Sequence, residues 1–375
     1  MPLFASPDPL ISQHSLTAPP YGRSESPFLQ RRSLQLPTAY CPLPLHATFS
    51  GESMSTSPHP SLPVEVGLTA AIVAVRDEEP MILVAPGASG AEPALPSGPF
   101  DPLKHRTFEI GLRSWVAEQT GAPLGYVEQL YTFGDRGRHA QAGDRDPHVV
   151  SVGYLALTRG GADLSAGASF RPIYAFFPWE DWRAGKPAMI EARILPALRK
   201  WAARDPDRLN AYGLSRTERV RMLFGEEGRF DDENALDRFQ LLYESGLVEE
   251  ARRDGRASPL IGEVGPLGEP MQNDHRRILA TAMGRLRAKI KYRPVIFELM
   301  PETFTLTSLQ RMAEAISGRH LHKQNFRRLV ESSSVVEPTG EMSHTTGGRP
   351  AALFRFRREV LQERPAPGLR VGLRG

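Results

Sequence analysis

Residues 66 to 75 run Val-Gly-Leu-Thr-Ala-Ala-Ile-Val-Ala-Val, an apolar stretch of strand length. The charged Arg76-Asp77-Glu78-Glu79-Pro80 follows, and then a second apolar run from 81 to 85. Two β-rich runs around a polar turn predict a hairpin. From Thr107 to Thr120 the period changes: Phe108, Leu112, Trp115, Val116 and Gln119 recur at helical spacing, and Gly121 is placed to end the helix. Further strands are expected at 126–133, 148–157 and 173–177. Strand, strand, helix, strand, strand predicts an α+β sandwich over residues 64–180.

Beyond it, residues 181–273 read as a helical connector, clearest at 190–203 and 235–245, with a flexible loop expected at 252–268. Asp274 is a plausible N-cap for a helix in which Ile278, Leu279, Ala282, Met283, Leu286 and Ile290 form one apolar stripe. This helix bridges the two halves of the chain, which makes it the candidate coupling element and a candidate to pair with its twin in a dimer. Residues 304–309 then open a helix with Leu309, Met312 and Ile316 facing inward, and Ser317-Gly318-Arg319 breaks it. A second helix starts near Leu321. Its stripe of Phe326, Leu329 and Val330 leaves Lys323, Gln324, Arg327 and Arg328 on the outer face. Two strands, 335–338 and 351–356, joined by a loop with Arg349 near its tip, complete a helix-turn-helix with a wing over residues 274–360. Residues 361–375 read as a tail.

Composition adds a division of labour. The 375 residues are 40% hydrophobic and 24% charged, which excludes a fibrous or wholly disordered chain. No run approaches the roughly 20 apolar residues of a membrane helix, so a soluble, cytoplasmic protein is expected. Residues 1–63 hold 12 of the 34 prolines and 11 serines without periodicity, which predicts a disordered arm. Met54, followed by Ser55-Thr56-Ser57-Pro58, is an alternative start. The single cysteine, Cys41, excludes an internal disulfide framework and a Cys-rich zinc site. The net charge of +3 hides an asymmetry: from 274 onward there are 19 Lys and Arg against 9 Asp and Glu, while the preceding residues are net acidic. A basic C-terminal quarter suits a nucleic-acid module. Long basic and amide side chains on a helix face can meet phosphates and base edges in a major groove, so Thr307, His322, Lys323, Gln324, Asn325, Arg327, Arg328 and Arg349 are the candidate DNA contacts.

The stretches Leu95-Pro96-Ser97-Gly98 and Val116-Ala117-Glu118-Gln119-Thr120-Gly121 resemble the Nudix hydrolase signature, in which several glutamates on one helix hold a divalent metal against a diphosphate. Aligned on Gly121, Ser114 replaces the signature Arg, Trp115 replaces a glutamate, Glu118 is retained and Gln119 replaces the last glutamate, while the loop before the helix is two residues longer. Trp115 cannot coordinate a cation. Glu109 lies at a different helical phase from Glu118. The expectation is therefore no catalytic residue, no metal and no cofactor, with a divergent Nudix pyrophosphatase using Glu109 and Glu118 as the alternative. Such a domain can still bind a nucleoside diphosphate, and Arg136, Arg138 and Arg145 beside the aromatic Tyr131 and Phe133, with Glu118, are the candidate ligand residues. A third possibility is a dimerisation scaffold that binds no nucleotide.

The stretches His275-Arg276-Arg277-Ile278-Leu279-Ala280-Thr281-Ala282, Phe297-Glu298-Leu299-Met300-Pro301-Glu302-Thr303-Phe304-Thr305-Leu306, Lys323-Gln324-Asn325-Phe326-Arg327-Arg328 and Gly348-Arg349-Pro350-Ala351-Ala352 resemble the Nudix-related transcriptional regulators of NAD metabolism. That resemblance implies a Nudix-like α/β/α sandwich, a helical segment and a winged helix-turn-helix. It further implies a repressor-type homodimer on operator DNA, with ADP-ribose or a related NAD-derived nucleotide as effector.

Overall fold

The computed structural model describes residues 63–87, 92–135, 148–159, 163–165, 167–225, 230–292, 298–333, 335–343 and 350–357. Strand β1 (Val64–Arg76) turns through Asp77 and Glu78, both at positive φ (49° and 66°), into β2 (Glu79–Pro86). Two consecutive left-handed residues match the twist of the flanking strands, which is why so short a turn closes this hairpin. There follow β3 (Pro93–Ala94), β4 (Ser97–Pro99), α1 (Phe108–Thr120), β5 (Val127–Phe133), β6 (His148–Leu157) and β7 (Ser169–Pro172). The strands order as β3-β2-β1-β6-β5, with β4 also on β1 and β7 on β2. β1 and β6 pair in parallel from Val64↔His148 to Val73↔Leu157, and the other pairs are antiparallel. A central strand in such a sheet is buried on both faces, so its sequence is continuously apolar rather than alternating.

Thr107 caps α1 by accepting from the Ile110 N–H, and Gly121 ends it at φ 66°. This helix covers one face of the sheet, where Leu112 and Val116 meet Leu68, Ala70 and Ile72. The other face, through Ala71, Val73, Ile82 and Leu155, joins a second core built by all the later elements. The expected strand at 173–177 is instead α2 (Ile173–Phe176), and the pairing strand is the β7 just before it. Ile173, Tyr174 and Phe176 are all buried. A strand would have sent alternate residues to opposite faces, whereas a helical turn directs Ile173 and Phe176 into this core and buries Tyr174 with its hydroxyl on Ala315 O.

A 3₁₀ turn (Pro178–Glu180) and a π turn (Ile190–Ile194) precede α3 (Leu195–Ala203). Pro196, which has no N–H to return to the preceding turn, stands at the π-to-α junction. Then come α4 (Arg216–Phe224), α5 (Ala235–Glu244), α6 (Glu249–Arg253), α7 (Ile261–Val264) and α8 (His275–Tyr292). The segment expected as a flexible loop at 252–268 is tied down. Arg253 bonds Glu92 and the Met271 and Asn273 carbonyls, the Ser258 N–H donates to Gly246 O, and α7 lies within it.

Helix α8 is enclosed within one chain. Ile278, Leu279, Ala280, Ala282, Met283, Leu286 and Arg287 are buried among the sheet, α5 and the C-terminal module. The expectation that α8 pairs with its twin across a dimer is therefore corrected, because its apolar faces are already covered. Its role as the bridge stands. The module itself is α9 (Leu306–Ser317), α10 (Lys323–Ser333), β8 (Val336–Ser343) and β9 (Ala351–Phe356). Thr305 and Ser308 cap α9 reciprocally, and Gly318, at φ 73°, stops it so that α10 can start five residues on. β8 and β9 pair antiparallel, and Phe304 exchanges backbone bonds of 2.9 and 2.8 Å with Phe354, which fastens the wing to the start of α9.

Candidate nucleic-acid interface and effector face

Helix α10 puts its charge where sequence periodicity predicted. His322, Lys323, Gln324, Asn325, Arg327 and Arg328 are exposed, and Thr307 is half-buried in the first turn of α9. Lys323 and Arg327 make no ion pair among the described residues. Among the described residues Arg328 reaches only Asn325 Oδ1, at 3.4 Å. Val330 is buried and Phe326 packs on the core, but Leu329 is 65% exposed, which corrects its expected inward position. The helix needs only one edge of its apolar stripe against α9, so Leu329 joins the outer face. Arg349 lies outside the described residues.

The sheet domain distributes its candidates differently. Tyr131 is 62% exposed on β5 and available to a ligand. Phe133 is 1% exposed and lies edge-to-face with Tyr131 at 5.4 Å, while Arg277 sits 5.2 Å over its ring. It is a core residue, and its expected place beside a base is corrected for that reason. Arg136, Arg138 and Arg145 lie outside the described residues. Glu118 is exposed, and Glu109 pairs with Arg113 at 2.9 Å, nine residues and two and a half turns away from Glu118. Where the hydrolase signature has glutamates, Trp115 Nε1 donates to Pro99 O at 2.9 Å. Gln119 accepts from the Ser97 N–H at 3.1 Å and donates to Ser97 O at 2.7 Å. A Cβ on Gly98 would strike the Trp115 ring, so these two side chains and that glycine form one fitted contact between α1 and β4.

Sequence reading missed the joint between the two parts. Glu180 is fully buried and takes both Arg238 (2.5 and 2.8 Å) and Arg287 (2.6 Å). Arg287, 1% exposed, also donates to Ile316 O at the end of α9 (2.9 Å) and to Asp232 O (3.0 Å). Tyr174 donates to Ala315 O at 2.6 Å, and the Trp182 N–H to Gly318 O at 2.6 Å. The carbonyl end of α9, carrying negative partial charge, is thus capped by the body. Burial alone would raise the Glu180 carboxyl, but the two guanidiniums outweigh it and hold the group below its ordinary value. One signal for this cluster existed: Arg276 and Arg287 fall in the apolar phase of α8, a turn away from Leu279 and Met283, where a solvated cation does not belong.

Fold and surface together define a mixed-sheet α/β/α domain continuous with a winged-helix module that carries exposed cations on its second helix. Residues 296–356 match the family described as the NrtR DNA-binding winged helix domain. Over 83 residues the chain is 46% identical to the ADPR responsive transcriptional repressor NtrR of Acinetobacter baylyi, covering 22% of this chain and 33% of that relative, so the alignment spans a third of the curated relative's length. Among solved structures, NrtR of Shewanella oneidensis with a 27mer DNA superposes on 79% of this chain and 95% of its own, with a TM-score of 0.46 and 18% identity. The NUDIX domain of the same protein with ADP ribose superposes on 32% of this chain and 79% of its own, with a TM-score of 0.26 and 21% identity. The chain is similar to Nudix-related regulators bearing a winged helix. No described helix is long and apolar enough to cross a membrane.

Proposed function

We propose that this protein is a transcriptional repressor of NAD-metabolism genes that responds to ADP-ribose or a related nucleotide. A homodimer presents two winged helices to a palindromic operator, and the sheet domain binds the nucleotide without hydrolysing it. The observation that carries the reading is the family match over 296–356 on a module whose second helix exposes Lys323, Arg327 and Arg328. A sensing rather than hydrolytic role is supported by Trp115 and Gln119, which spend their polar atoms on the β4 backbone instead of on a metal-bound diphosphate. Tyr131, Arg136, Arg138 and Arg145 are the groups assigned to the nucleotide.

The effector shifts DNA binding only if its affinity differs between the competent and incompetent arrangements. Helix α8 packs on both the sheet and α9, so a rearrangement beside Phe133 and Arg277 reaches α9 without a flexible linker. The test is calorimetric titration of ADP-ribose into the full chain with magnesium, with the recovered ligand assayed for AMP. Binding with intact ligand is expected. Release of AMP would instead support the divergent pyrophosphatase, and absence of heat would leave the scaffold reading. In parallel, Arg327→Ala with Arg328→Ala is expected to weaken binding to the promoter DNA of the regulated genes and to flatten its salt dependence; unchanged affinity and slope would remove α10 from the interface.

A further inference from the structure

We infer that the sheet domain itself grips the DNA backbone: Arg159, at the exit of β6, is a phosphate contact that works with Lys323 and Arg327 of the winged helix. This rests on the DNA-binding reading above and extends it to a residue outside the winged-helix module.

A groove of about 1130 Å³ runs between the two parts of the chain. One wall is the winged helix, with the first turn of α9, Lys323 and Arg327 of α10, and the start of β9. The other is the sheet domain, with Val75, Glu78 and Arg159. Arg159, Lys323 and Arg327 thus converge on one space from two parts of the fold, and none makes an ion pair among the described residues. Arg76 and Arg106 of the sheet domain also make no ion pair among the described residues but do not line this groove, and other arginines of the body are paired. Arg113 pairs with Glu109, Arg171 with Glu269, and Arg183 with Glu79 and Asp181. Glu331 of α10 and Glu78 also line the groove, but Arg159, Arg311, Lys323 and Arg327 outnumber them, and the resulting positive excess suits the polyanionic backbone of a nucleic acid. The first turn of α9 adds the positive end of a helix of 12 residues to the same groove.

The groove is continuous with the outer face of α10 through Lys323 and Arg327, so a duplex read by that helix brings its phosphates toward Arg159. The β1–β2 turn sets the opposite sign on the same wall. Glu78 pairs with Arg311 of α9, which both neutralises that cation and leaves a carboxylate beside the phosphate path. These two side chains of one wall therefore make opposite predictions: loss of Arg159 weakens DNA binding, and loss of the Glu78 charge strengthens it.

The experiment measures binding of the full chain to a fluorescein-labelled duplex of random sequence by anisotropy across a salt series, because phosphate contacts act without sequence. Each phosphate contact carries about 0.9 in the slope of log K against log salt, so Arg159→Gln is expected to lower the slope by about that amount and to reduce the loss of affinity between about 50 and 200 mM salt by roughly threefold. Glu78→Gln is expected to raise affinity at low salt. Arg159 is exposed, so an unchanged thermal midpoint checks that the variant is folded. A wild-type slope in Arg159→Gln beside a lowered slope in Arg327→Gln overturns this inference and leaves the DNA-binding reading intact. Wild-type slopes in both, or no binding by the parent chain, overturn that reading and the inference with it.

Discussion

Arg287→Met tests whether the buried charge cluster is the joint of the molecule. Methionine has nearly the length of arginine and fills much of the same space, so the change removes charge and donors more than volume. Four main-chain or carboxylate partners lose this donor: the Glu180 carboxylate at 2.6 Å, the Glu180 carbonyl oxygen at 3.2 Å, Ile316 O at 2.9 Å and Asp232 O at 3.0 Å. Breaking a buried ion pair costs about 3–5 kcal/mol when the other charge is stranded. Here Arg238 still holds both Glu180 oxygens, which puts the electrostatic loss near or below the bottom of that range. The three buried carbonyls that lose this hydrogen bond add about 1 kcal/mol each, for a total of roughly 5 kcal/mol. Urea titration at neutral pH, followed by the fluorescence of the buried Trp179 and Trp201 and by far-ultraviolet circular dichroism, measures it. Arg285→Met is the control, because Arg285 is half exposed and reaches Glu128 only at 4.0 Å. A loss below about 1 kcal/mol, equal to that control, would refute the claim that Arg287 joins α8 to α9. The cluster also carries a pH signature. Glu180 is held below its ordinary value of 4.5, so its contribution is complete above that pH and is lost as pH falls through the folded-state value. The stability advantage of the parent over Glu180→Gln is therefore expected to shrink on acidification from about pH 6 to about pH 3.

Two further substitutions probe contacts on either side of that joint. Gly318→Ala places a Cβ inside contact distance of the Glu180 carbonyl oxygen at a φ of 73°, so it is expected to cost about 2 kcal/mol or more and to reduce DNA affinity with it; a neutral thermal melt would count against the close approach of α9 to the body. Gln119→Leu strands the Ser97 N–H and carbonyl and is expected to cost about 1–2 kcal/mol in denaturant titration, while Glu118→Ala, an exposed change, is expected to leave stability within about 0.5 kcal/mol; the reverse order would mean that the α1–β4 contact is not what Gln119 serves.

Local pattern determined a good deal of this protein. The hairpin at 64–86, the limits of α1 between Thr107 and Gly121, strand β6 and the two helices broken at Gly318 all follow from turn chemistry, caps and periodicity, which act over a few residues. The exposed cations of α10 follow in the same way, because one helix needs only one covered face. Tertiary structure decided the rest. Counting placed the basic residues from 274 onward in a single nucleic-acid module, yet Arg276, Arg277, Arg287 and Lys289 are spent on Glu250, Asp135, Glu180 and Glu128 of the body. An arginine that holds a buried glutamate and one that awaits a phosphate are the same letter. What separates them is which carboxylates the fold carries within reach, some of them more than a hundred positions away. Phe133, Leu329 and the helical turn at Ile173 teach the same point for apolar groups: whether each is covered depends on how α8 and α9 lie against the sheet, a long-range packing outcome that neighbouring residues do not encode.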